Sequence, residues 1–152
     1  MRSTICALVS LIGASVGVPI VVAQDSAGAP SAEAFFDRFV ALGQAYDPAV
    51  AALYADDALI QNVRRYPDGT IRTLRLTGAE YKPLIRTAMP IARRRGDRDR
   101  YTDVSVSTDG GRVRIRCTRY NELKRYASPY ELVLERSGDS WQIIEEYAES
   151  RP

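Results

Sequence analysis

Arg112-Val113-Arg114-Ile115-Arg116-Cys117-Thr118-Arg119-Tyr120 alternates between polar and apolar side chains at almost every step. A period of two belongs to a β-strand with one buried and one wet face. Val113, Ile115 and Cys117 mark the inward face. The same parity carries Arg119 inward and leaves Arg112, Arg114 and Arg116 outside. Strands read the same way on both sides of it. Tyr101–Ser107 alternates and is followed by the turn Thr108-Asp109-Gly110-Gly111. After a longer connection over Asn121–Ser128, Pro129–Arg136 is the next strand. Ser137-Gly138-Asp139 turns into the last, Ser140–Ala148. In that strand Trp141 and Ile143 face inward, and unbroken alternation takes Glu145 and Tyr147 to the same side.

Helices come first. Ser31 suits an N-cap, Glu33 suits the positive end of a helix dipole, and Phe35, Phe36, Phe39, Val40 and Leu42 recur at helical spacing, which predicts a helix over 32–45. Asp47-Pro48 starts a short second helix, with Val50, Leu53 and Tyr54 buried and Asp56-Asp57 ending it. Ala58–Tyr66 reads as a strand, Pro67-Asp68-Gly69 as a turn and Thr70–Leu76 as the return strand. Thr77-Gly78-Ala79-Glu80 is a capping box opening a third helix over 78–95, in which Pro90 predicts a kink or break. The charged stretch Arg93–Arg100 is expected to be exposed. The order α-α-β-β-α-β-β-β-β implies an α+β fold, N-terminal helices packed on one curved, mostly antiparallel sheet.

Residues 1–23 stand apart. Arg2 precedes an uncharged, apolar run from Ile5 to Val22, and Val21-Val22-Ala23 puts small residues where a signal peptidase cuts. The expectation is a signal peptide over 1–23, a flexible lead-in over 24–31 and a single domain over 32–150, periplasmic or secreted after cleavage near Ala23. Such cleavage removes Cys6 and leaves Cys117 as the sole thiol, so stability must come from a hydrophobic core. Cys117 lies in an apolar alternation and reads as a small buried hydrophobe.

Composition excludes more than it selects. The 152 residues include 45% hydrophobic and 26% charged, which rules out a collagenous or largely disordered chain. Net charge is only +2, from 21 basic and 19 acidic residues, arguing against nucleic acid as a partner. There is no histidine, which excludes imidazole nucleophile activation, general bases and metal ligands of that type. Neither a metal nor a cofactor is expected, and no membrane association once the leader is gone.

Three local patterns resemble the nuclear transport factor 2-like superfamily, the cone-shaped α+β fold shared by SnoaL-like and ketosteroid isomerase-like proteins. Phe36–Tyr46 followed by Asp47–Ala58 looks like its first helix and the leucine-tyrosine-acid-apolar step into strand one. Thr77-Gly78 matches the glycine before its third helix. Gly138-Asp139-Ser140-Trp141-Gln142-Ile143 looks like its last hairpin. The resemblance implies a cystatin-like cone with a pocket between helices and sheet and a homodimer formed through the sheet; the leader and the excess of arginine over lysine would make this an exported bacterial member.

Strand parity then chooses the candidates. An inward Arg119 and an inward Glu145 would form a charge pair at the mouth of the cone, orienting a polar ligand group or simply closing the open end. Tyr147 and Tyr54 complete the ligand-binding set. Asp57 and Tyr54 are the catalytic alternative the resemblance implies, carboxylate as proton shuttle and tyrosine as oxyanion donor, although turn capping accounts for Asp57 without chemistry. On the outer face, Arg112, Arg114 and Arg116 are expected to pair across strands with Glu131 and Glu135. Two functions remain: a non-catalytic small-molecule-binding or accessory domain, and a cofactor-free isomerase, lyase or hydrolase using carboxylate and tyrosine.

Overall fold

A computed structural model describes residues 29–152. The expected leader, its cleavage point and most of the lead-in lie outside these residues. Helix α1 (Ala32–Gln44) starts where Ser31 Oγ accepts from the Ala34 amide at 3.1 Å. A short 3-10 turn (Pro48–Leu53) is capped by Asp47, which accepts from the Ala49 amide at 2.8 Å. Then follow β1 (Tyr54–Arg65), β2 (Ile71–Thr77), α2 (Gly78–Arg95), β3 (Asp99–Asp109), β4 (Arg112–Asn121), β5 (Tyr126–Ser137) and β6 (Ser140–Ser150).

The six strands form one sheet in the order β2-β1-β6-β5-β4-β3. Every pairing is antiparallel except β1 with β6, which is parallel. The first strand thus joins the last, and the sheet curves without closing. The core fills its concave side. Phe35, Phe36 and Phe39 of α1 and Val50 and Leu53 of the 3-10 turn pack against Val113, Ile115, Leu132, Leu134, Trp141 and Ile143. Phe39 stacks at 6.2 Å on Tyr130, and Tyr101 meets Phe36 edge-on at 5.7 Å. Rings in offset and edge arrangements at these distances gain stability beyond the area they bury.

Several strands begin earlier or end later than alternation indicates. β1 begins at Tyr54, so Asp56 and Asp57 lie within a strand instead of ending a helix. β5 begins at Tyr126, shortening the expected connection after β4 to a tight turn at 122–125. Helix α2 continues through Pro90, so of the expected kink or break the break does not occur. Pro90 is exposed, so water can satisfy the carbonyl that its missing N–H leaves free. The outer-face pairs form as parity predicts: Arg112 with Glu135 at 3.1 Å, and Arg114 and Arg116 together on Glu131.

Gly78 is the tightest point of the fold. The capping box of Thr77 and Glu80 presses the start of α2 onto β1, and a Cβ on Gly78 would lie 1.8 Å from the Ala55 carbonyl oxygen. Backbone cannot yield as a flexible side chain can. Gly78→Ala is expected to destabilise by about 3 kcal/mol or more in urea titration, as overpacking does. Gly43→Ala, in α1 with nothing within 4 Å of the new methyl, should instead stabilise by up to about 1 kcal/mol through helix propensity.

Candidate functional site

Between α1, α2 and the concave sheet face lies a cavity of about 360 Å³. Its α2 wall is one helical stripe: Tyr81, Ile85, Met89 and Ala92. Phe39 and Val40 of α1, Tyr54 of β1, Tyr101 of β3 and Tyr130 of β5 supply further apolar and aromatic surface. Asp97, Arg98, Asp99, Asn121 and Lys124 bring polar groups to one end.

Glu146 of β6 is the buried acid of this cavity, with 6% of its surface exposed. Its Oε2 accepts from the Tyr54 hydroxyl, and its Oε1 accepts from the Tyr81 hydroxyl at 3.4 Å. No ion pair among the described residues includes it. Burial raises its pKa, while the hydroxyls of Tyr54, Tyr130 and Tyr81 and the charge of Arg119 pull the other way. Tyr54 is itself pushed well up, first by burial and then by the neighbouring carboxylate.

Arg119 faces inward, as its parity predicts, but its partners differ from the expected one. Its Nη2 donates to the Glu149 carbonyl, its Nη1 lies 3.8 Å from Asp99, and its guanidinium sits 5.6 Å from the Tyr130 ring centre. Its Nε is buried without a hydrogen-bond partner. Asp99 also accepts from the Asn121 amide at 2.9 Å, and its pKa is raised because desolvation outweighs Arg119.

Glu145 and Tyr147 are not in this cavity. β5 pairs Leu134 with Ile143 but Val133 with Glu145, so Ile144 is an extra residue in β6. This β-bulge inverts the parity beyond it. Ile143 remains inward, Glu145 and Tyr147 turn to the outer face, and Glu146 takes the place expected of Glu145. The Tyr147 hydroxyl donates to Glu149 at 2.7 Å, beside Arg65, and Glu145 lines shallow outer-face depressions with Leu59, Arg112 and Glu131. The expected Arg119–Glu145 pair therefore does not form. Asp57 is exposed on the outer side of β1, away from the cavity, while its neighbour Asp56 accepts from Lys82 at 2.7 Å. Of the named candidates, Tyr54 and Arg119 line the cavity together.

Alternation alone misses Glu146, Tyr81, Asp99, Tyr101 and Tyr130. One signal was present: Ile143-Ile144 places two apolar residues in succession, where a strictly alternating strand would not. Burial of Cys117 pushes its thiol up to about 11, and its Sγ lies 3.8 Å from the Tyr130 carbonyl, in keeping with a core residue.

Helices over a curved, mostly antiparallel sheet with a cavity between them define the cystatin-like, nuclear transport factor 2-like cone. Solved structures agree. A protein with a cystatin-like fold from Caulobacter vibrioides superposes with a TM-score of 0.61 at 12% identity, covering 76% of this chain and 83% of that one. A nuclear transport factor 2-like protein of unknown function from Pseudomonas putida gives 0.58 at 16% identity, covering 74% and 78%. Another with a cystatin-like fold, from Novosphingobium aromaticivorans, gives 0.53 at 16% identity, covering 74% and 75%. No family model and no curated protein matches the chain.

Glu146 makes stability depend on pH with a definite sign. Its folded pKa lies above the unfolded value of about 4.3, so the native state holds its proton more tightly. The stability this contributes is complete below that value and is lost as pH rises through the folded pKa. Tyr54, Tyr81, Tyr101, Tyr130 and Arg119 surround it, and the tyrosines are all shifted upward, so they remain neutral across this range. Urea titrations from pH 4 to 9 should show wild type losing stability relative to Glu146→Gln as pH rises. A constant difference would mean that the carboxyl is not desolvated.

Proposed function

We propose that this chain is an exported, non-catalytic small-molecule-binding domain whose ligand occupies the cavity between α2 and the concave sheet face. The observation that carries this reading is an aromatic-lined cavity of about 360 Å³ holding a buried, ion-unpaired carboxyl group, Glu146. Cavities of that size, mostly apolar with a few convergent polar groups, suit small ligands. The apolar leader ending in Val21-Val22-Ala23 supports export.

A second reading has one observation in its favour, the hydrogen bond from Tyr54 to Glu146. A desolvated carboxyl beside a tyrosine can exchange protons with a substrate without a cofactor, as an isomerase, lyase or hydrolase requires. Binding is preferred because the other acids lining the cavity are already engaged, Asp97 by the Asn121 amide and Asp99 by Asn121 and Arg119. No second carboxylate is thus free to divide the roles of acid and base.

Native mass spectrometry on protein purified from the periplasm of its own cell tests both parts. The expected species starts at or near Gln24 and carries a small molecule that denaturation releases. Ala92→Trp, which places an indole in the α2 wall of the cavity, should fold and lack that molecule. An intact N-terminus overturns export. An absent adduct, or one retained by Ala92→Trp, overturns the cavity as the binding site.

A further inference from the structure

The charges lining the cavity are unequally engaged. Arg119 faces Asp99 and donates to the Glu149 carbonyl. Lys124 Nζ donates to the Arg151 carbonyl at 2.8 Å. Arg98 Nε donates to the Tyr46 hydroxyl at 3.0 Å and its guanidinium lies over that ring at 5.2 Å. Asp97 and Asp99 both accept from Asn121. Among the described residues Glu146 alone is deeply buried and outside any ion pair: hydroxyl groups donate to it, while Arg119, whose charge acts on it, pairs with Asp99 instead. A buried carboxylate with no ion-pair partner is costly, and an incoming positive charge relieves that cost.

The surroundings favour such a charge. Tyr54, Tyr81, Tyr101 and Tyr130 line the same space as Glu146, with Tyr54 and Tyr81 meeting edge-on at 5.4 Å and Tyr101 and Tyr130 also 5.4 Å apart. Aromatic π-systems attract cations electrostatically, more strongly where water is excluded. The remaining wall, with Val40, Val50, Ile85 and Met89, is apolar and suits a hydrocarbon body.

We propose that the cavity takes a small organic cation, an amine carried on an apolar body, with its ammonium group held by the Glu146 carboxylate among the rings of Tyr54, Tyr81, Tyr101 and Tyr130. This rests on the small-molecule-binding reading and names its ligand class. The amine donates to carboxylate oxygens that the tyrosines only partly occupy, since a carboxylate offers about four acceptor sites. No covalent step is involved.

Phenethylamine, phenethyl alcohol and hydrocinnamate share one apolar body and differ in the charge of the head group, so they serve as probes. Calorimetric titration of each into the mature protein should give an amine at least tenfold tighter than the alcohol, with the acid weakest. Glu146→Gln should remove the preference for the amine while leaving the alcohol unchanged, and Ala92→Trp should weaken all probes. Tighter binding of the alcohol or the acid, or an amine preference that survives in Glu146→Gln, overturns the cation assignment and leaves the binding reading intact. Failure of every probe to bind wild type overturns the cation assignment, and together with the absence of a native adduct it overturns the binding reading as well.

Discussion

One additional residue in β6 determines which side chains meet inside the cone. Ile144 has no counterpart in β5, because the pairing steps from Leu134–Ile143 to Val133–Glu145. The backbone must accommodate it by bending, and the parity of every later residue in the strand reverses. Trp141 and Ile143 anchor the strand to the core before the bulge, while Glu146 and Ala148 face the concave side after it. The parallel partner β1 is irregular at the same level, with its pairing interrupted between Tyr54 and Leu59. At the other side of the sheet β3 has its own irregularity between Thr102 and Ser105, where Asp103 adopts a positive φ of 55°. These departures from regular pairing accompany the curvature that keeps the sheet open around a cavity.

Turning Glu146 inward creates an electrostatic demand that local sequence does not express. A carboxyl group withdrawn from water requires donors. Here they come from a strand 92 residues earlier in sequence and a helix 65 residues earlier, through Tyr54 and Tyr81. The donors are neutral hydroxyl groups, so the site retains a negative charge, or a tightly held proton, in an aromatic environment. Arg119, the nearby cation, is directed instead toward Asp99 and the Glu149 carbonyl at the end of β6. Separation of these two polar groups leaves an interior able to hold a ligand instead of a closed structural ion pair.

The outer face follows simpler physics. Arg112, Arg114 and Arg116 neutralise Glu135 and Glu131 across the β4–β5 ladder, and Arg65 joins Glu149 and Tyr147 on β6. Pairs of this kind at a solvated surface contribute little individually. They do pair these four arginines with acids on the outer face, while the buried acid Glu146 and its tyrosines lie on the concave side.

The sequence by itself determined the element order, the α+β class and the inward face of β4, because periodicity and turn residues act locally and each leaves its own signature. Ser31, Asp47 and the Thr77–Glu80 box occupy the caps expected of them. Val113, Ile115 and Cys117 are buried, and Arg119 faces the cavity. The cone itself was legible through the resemblance of a few short motifs to a known fold. Tertiary structure alone decided the acid. Alternation extrapolated through β6 selects Glu145 and Tyr147, whereas a bulge at Ile144 selects Glu146. A register shift is settled by pairing with β5 and β1 and by packing against the core, contacts between residues far apart in the chain. The same holds for Tyr81, Asp99, Tyr101 and Tyr130, ordinary residues in sequence that meet at one cavity only because sheet curvature brings α2, β3 and β5 together there.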